Sequence, residues 1–167
     1  MDHRILIAGI GNIFAGDDAF GVEVMRELTR HTLPEAVFAK DFGIRSYDLA
    51  YAMMDGYWTT ILVDATSRGQ PPGTVYLIEP DVDAINGQTN VDAHSLNPVA
   101  VLQLVQALGG KLGKLYLVGC EPEVLDSDEI GLSPSVRAAV PQAVQMIEFL
   151  VHRLLNESSN AVSPAGA

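Results

Sequence analysis

Apolar runs that end on turns and acids most constrain how this chain folds. Ile5-Leu6-Ile7-Ala8 feeds Gly9-Ile10-Gly11-Asn12 and then the pair Asp17-Asp18, while Ile61-Leu62-Val63 runs straight into Asp64. A third run, Val75-Tyr76-Leu77-Ile78, precedes the polar stretch that carries His94. Such runs read as buried strands, and the segments between them have helical periodicity. After the first acid pair, Phe20, Val24, Met25 and Leu28 fall on one helical stripe. Strands alternating with helices point to a three-layer α/β/α sandwich with a mainly parallel sheet of five strands.

Strands are expected near 4–10, 36–42, 58–64, 74–79 and 115–120, with 36–42 or 74–79 running antiparallel at an edge. Asp18 or Asp17 is expected to cap the first helix, and a short helix follows from Tyr47 to Asp55. Asn97-Pro98 starts another helix, which Gly109-Gly110 stops. Near the end, Pro141 argues against a helix interior, so a turn is expected at 134–139 and the main helix from Pro141 to Leu155. Val144, Ile147, Val151 and Leu154 mark its buried face. The chain then reads as one domain over 1–155 with a disordered tail over 156–167, which holds no large apolar residue but Val162.

In a parallel α/β sheet the carboxyl ends of the strands share one edge, where ligands bind. Asp18, Asp64 and His94 can therefore converge there. Two hard oxygens and one imidazole suit a divalent transition ion, and without a cation the two carboxylates repel, raising at least one pKa. Each residue also has a plainer role. One member of the Asp17-Asp18 pair can serve a helix N-terminus, Asp64 an Asx turn, and His94 an exposed loop. Since one acid suffices for capping, Asp17→Asn is expected to disturb metal binding much less than Asp64→Asn.

Other motifs carry less. Gly9-Ile-Gly-Asn-Ile-Phe14 lacks the third glycine of a dinucleotide loop, so its glycines read as turn residues. Cys120, the single cysteine, reads as a buried strand-end thiol. His3, His31 and His152 have no partners of metal-ligand spacing, and neither a nucleophile elbow nor an HExxH helix is present.

The net charge of −11 excludes the clustered cations that nucleic-acid binding needs. No Lys or Arg occurs between Arg68 and Lys111 or between Lys114 and Arg137, stretches that hold Glu79, Asp81, Asp83, Asp92, Glu121 and Glu123. These read as solvated loops or as an acidic rim that attracts a basic partner or a cation. Apolar runs are too short to span a bilayer, and Met1-Asp2-His3-Arg4 lacks the features of a signal peptide. A cytoplasmic monomer is the expectation.

These motifs resemble the hydrogenase maturation endopeptidases, which process the large subunit of nickel–iron hydrogenases. The likeness runs from Ile5 through Gly-Ile-Gly-Asn and Asp17-Asp18-Ala-Phe-Gly-Val, then Leu62-Val-Asp-Ala and Asp92-Ala-His-Ser-Leu, to Tyr116-Leu-Val-Gly-Cys-Glu-Pro and Ile130-Gly-Leu-Ser-Pro. The resemblance implies an endopeptidase that removes a C-terminal extension from a nickel-loaded precursor. It also implies that Asp18, Asp64 and His94 meet the metal and carry the catalytic role, with nickel supplied by the substrate and zinc as another possible occupant. Family members often have Glu at the position of Asp18, and many have Asp-Gly-Gly-Thr where this chain has Asp41-Phe-Gly-Ile-Arg-Ser46. Two other readings use the same residues: a non-catalytic metal-binding accessory protein, and another cytosolic hydrolase on the same fold.

Overall fold

The computed structural model describes residues 3–81, 98–125 and 130–162. Its strands are β1 (Ile5–Ile10), β2 (Val37–Gly43), β3 (Thr59–Ala65), β4 (Val75–Ile78) and β5 (Lys114–Cys120). They form one five-stranded sheet in the order β2-β1-β3-β5-β4. Neighbours are parallel except for β4, which runs antiparallel to β5 at the edge. Of the two edge strands expected to reverse, β4 does and β2 does not.

The helices are α1 (Phe20–Leu28), α2 (Ser46–Met53), α3 (Pro98–Ala107) and α4 (Pro134–Val162). Alternate residues of each central strand enter opposite cores. Ile5, Ile7, Ile61, Val63 and Val118 pack with α1 and α4. Leu6, Ala8, Leu62, Leu115 and Leu117 pack with α2 and α3. Both faces are covered, which is why the strands read as unbroken apolar runs. The expected stripes of α1 and α4 are buried, with Phe20, Val24, Leu28, Ile147 and Leu154 wholly inaccessible.

Two expectations need correction. Pro141 lies inside one continuous helix that begins at Pro134. A proline there removes an intrahelical hydrogen bond and costs on the order of 3 kcal/mol. Val136 and Ala139 before it and Ala143, Val144 and Ile147 after it all enter one core, so tertiary burial holds both halves in line. The same helix continues through Asn156, where the disordered tail was expected, as far as Val162. Leu154 is fully buried and Ser158 nearly so, anchoring that end; 163–167 lie outside the described residues.

Strand order also locates the functional edge. The chain leaves β1 for β2 on one side and then returns past β1 to β3. The carboxyl ends of β1 and β3 therefore flank a topological switch point, where a crevice forms. Gly21 makes this crevice tight. A Cβ at Gly21 would collide with the carbonyl oxygens of Ile10 and Val63, so the first turn of α1 sits directly on both strand ends. Gly21→Ala is expected to lower the Tm by roughly 4–10 °C, an overpacking cost of about 2–3 kcal/mol. Thermal denaturation followed by circular dichroism measures it; an unchanged Tm would mean the helix can lift off at no cost. Among the described residues no helix is long and apolar enough to cross a membrane.

Candidate active site

After β1, Gly11 turns the chain with a φ of 150°, and a Cβ there would collide with the Asp18 carbonyl. The path then enters a 3₁₀ turn over Gly16–Ala19 that leads into α1. Neither Asp17 nor Asp18 caps a helix through its side chain, which corrects the sequence expectation. The half-buried Asp18 turns back toward β1, where its Oδ2 accepts the Asn12 backbone N–H at 3.1 Å. Asn12 Oδ1 in turn accepts the Phe14 N–H at 2.9 Å, fixing the loop.

Asp64 is the penultimate residue of β3, paired in register with Gly119 of β5. Only 5% of it is exposed, and its Oδ1 is buried with no hydrogen-bond partner among the described residues. Burial first, and the nearby charge of Asp18 second, push its carboxyl well above the ordinary value; the Ala65 N–H offsets part of this. The structure thus brings Asp18 and Asp64 into mutual electrostatic reach across the switch-point crevice. His94 lies outside the described residues. Among the described residues no group of three or more His, Cys, Asp or Glu side chains is placed to hold a metal.

Asp17 takes a different direction from its neighbour. It is wholly buried and accepts the N–H groups of Glu123 (2.8 Å) and Val124 (2.9 Å) and both the N–H (2.7 Å) and hydroxyl (2.8 Å) of Ser133. Burial pushes its carboxyl up, but those hydrogen bonds outweigh it and hold the pKa below the ordinary value. Glu121, just after β5, is the counterpart on the other side. It accepts the Arg68 N–H at 2.7 Å, the Gly69 N–H at 3.2 Å and the Tyr76 hydroxyl at 2.7 Å, pinning the segment that follows Asp64. The Tyr76 bond, followed by the Arg68 N–H, lowers the Glu121 pKa, while burial and that same bond raise Tyr76 to about 12. Sequence reasoning saw Glu121 only as part of an acidic rim.

Cys120 is inaccessible, and burial, with the charges of Asp17 and Glu121, pushes its thiol up to about 12. A thiol so protonated is neither a nucleophile nor a ready metal ligand. His31 is engaged elsewhere, its Nδ1 lying 2.5 Å from Glu148 Oε1.

A doubly wound α/β sheet with an acid pair at its switch point defines a ligand-binding or catalytic protein of that class. Comparison with known proteins narrows it. A family model described as hydrogenase maturation protease matches residues 22–149. The Hydrogenase 2 maturation protease of Escherichia coli is 31% identical over 145 residues, covering 86% of this chain and 88% of that protein. The hydrogenase expression/formation protein HupD of Bradyrhizobium diazoefficiens is 31% identical over 150 residues, covering 87% and 77%. The solved structure of the hydrogenase maturating endopeptidase HybD from E. coli superposes with a TM-score of 0.75 at 30% identity, covering 90% of this chain and 93% of that one. The chain belongs to the hydrogenase maturation protease family and is a protease. That sets aside the non-catalytic reading.

Proposed function

We propose that this protease removes a C-terminal extension from the nickel-loaded large-subunit precursor of a nickel–iron hydrogenase, and that Asp18, Asp64 and His94 are the groups that meet the metal. One observation carries the reading: the buried Oδ1 of Asp64, unpartnered among the described residues, beside the charge of Asp18. Burying a carboxylate oxygen with nothing to bind is unfavourable, and a second negative charge makes it worse. A divalent cation removes both penalties. The donor set fits nickel or zinc, with His94 supplying the softer nitrogen.

Within this reading the metal is part of the substrate, and the chain's own groups do three things. Asp64 offers the buried oxygen for which metal and proton compete, its carboxyl pushed up by burial and then by Asp18. Asp18, tethered to the Asn12 N–H, keeps its charge aimed across the crevice. Exposed apolar side chains in loops after the strand ends, namely Ile13, Phe14, Ile44, Val124, Leu125 and Ile130, offer the folded partner a dry rim around the charged centre. The reading rests on the family, this geometry and the resemblance at His94.

Mass spectrometry of the nickel-loaded precursor after incubation with the purified protein tests it. Loss of a single C-terminal fragment is expected with the wild type, and none with Asp64→Ala or His94→Ala, both of which keep the wild-type circular dichroism spectrum. An uncut precursor with the wild type, or full cutting by both variants, would refute the assignment.

A further inference from the structure

A fully buried aspartate directly beside a candidate ligand is unusual when its bonds lead away from that ligand. Asp17 Oδ2 receives the N–H groups of Glu123 and Val124 and the Ser133 hydroxyl, while Oδ1 receives the Ser133 N–H. The Asp17 backbone N–H adds a further bond, donated to the Val124 carbonyl at 2.8 Å. Glu123 and Val124 follow β5, and Ser133 directly precedes α4, so one carboxylate ties together both ends of the β5–α4 connection. The Ser133 hydroxyl, at the position where a helix cap would sit, donates to Asp17 instead. The negative carboxylate beside the start of α4 also matches the sign of that helix end.

We propose that Asp17 is a positioning residue, which locks the β5–α4 connection to the turn presenting Asp18 so that partner contacts and metal contact keep one fixed spacing. The proposal rests on the function assigned above. Asp17 and Asp18 are consecutive in a 3₁₀ turn, so a force on the loop is transmitted to Asp18 across a single peptide unit. The loop ends carry Val124 and Ile130, which are 43% and 77% exposed on the edge where Asp18 and Asp64 lie. A partner pressing on these side chains would meet loop ends tied to the turn that carries Asp18. An apolar staple would stabilise the loop without this directional hold, because hydrogen bonds to a carboxylate fix angle as well as distance.

The test compares wild type, Asp17→Asn and Ser133→Ala by amide hydrogen exchange and by processing kinetics on the nickel-loaded precursor. In Asp17→Asn, exchange at the Glu123, Val124 and Ser133 amides should accelerate about tenfold or more, while β1 and β3 amides stay protected. KM should rise about tenfold, with kcat changing less than about threefold, since loosening the loop weakens partner binding before chemistry. Ser133→Ala, which keeps the carboxylate and removes one donor, should move the same quantities in the same direction by about two- to threefold. If Asp17→Asn does not fold, Ser133→Ala decides on those readouts. Accelerated exchange with unchanged KM would make the clamp purely structural and overturn the proposal, as would unchanged exchange in a folded variant. A wild type that leaves the precursor uncut would sink the function assigned above, a result distinct from either.

Discussion

Asp64→Asn is expected to raise the protein's melting temperature at neutral pH while abolishing processing. The two effects have one cause. In the folded chain the Asp64 carboxyl titrates well above its ordinary value, from burial and then from Asp18. Below the unfolded-state pKa, about 4, both states are protonated and the group costs nothing. As pH rises from there through the folded-state pKa, the unfolded chain gains from ionising and the folded one does not. Wild-type stability relative to the Asn variant therefore falls across that interval and stays lower above it. A neutral amide removes the penalty, worth roughly 1–3 kcal/mol or several degrees of Tm at pH 7–8, and the gap should close toward pH 4. Saturating nickel or zinc should stabilise the wild type by about 2.7 kcal/mol at a hundredfold excess over Kd, and leave the Asn variant unmoved. Losing a groups-that-meet-metal oxygen should lower kcat/KM by at least about a hundredfold, since even outer partners of metal ligands carry 10–100-fold effects. Differential scanning fluorimetry across pH, with and without metal, checks the stability half. If Asp64→Asn destabilises the protein equally at pH 4 and pH 8, the carboxylate is a structural acceptor and the site lies elsewhere.

The central strands β1, β3 and β5 were legible because each is buried on both faces, which leaves an apolar run with few alternatives. Antiparallel β4 was legible only as one of two candidates, since edge position and direction depend on which neighbour β5 chooses. Pro141 misled for a physical reason. A local rule against proline in helix interiors is worth a few kcal/mol, and the buried side chains on both sides of it together outweigh that. The end of α4 misled similarly, because Ser158 is buried although the segment lacks large apolar residues.

At the candidate site, the sequence singled out Asp18 and Asp64, which the structure places in mutual electrostatic reach, but it did not show where Asp17 turns. Successive residues of a 3₁₀ turn point about a third of a turn apart, so one enters the protein and the next faces the crevice. Which does which is decided by Glu123, Val124 and Ser133, more than a hundred residues away in the chain. Glu121 was illegible for the same reason, because its partners are amides at Arg68 and Gly69 and the Tyr76 hydroxyl. Local chemistry marks an acid as polar; only tertiary structure shows whether it turns inward. His94 falls outside the described residues, so its place beside the acid pair rests on the strand-end pattern and the resemblance.

A nickel-free precursor is expected to remain uncut, with processing at least about a thousandfold slower than for the nickel-loaded form. The chemistry of the donor set explains why. Two carboxylates and an imidazole form a harder, weaker site for nickel than any containing thiolate, and the single cysteine is buried with its thiol raised to about 12. Such a site recruits a metal already held by a partner more readily than it strips one from solution. Under the proposed function, recognition would need both contributions, the ion at Asp18, Asp64 and His94 and the folded surface on the apolar rim. Neither alone would supply the affinity, so an unfilled precursor would not reach the cutting geometry. Free nickel added at micromolar concentration to the nickel-free precursor should not restore processing unless the precursor itself takes it up. The acidic stretches, with no Lys or Arg between Lys114 and Arg137, should speed the approach of a cationic partner surface. Raising salt from about 50 to 500 mM should then lower kcat/KM several-fold while leaving kcat nearly constant, because screening acts on encounter. Side-by-side cleavage of the loaded and unloaded precursors, followed by mass, decides the matter. Efficient cutting of the nickel-free form would show that the acid pair serves a conventional peptidase and that the metal is not what it recognises.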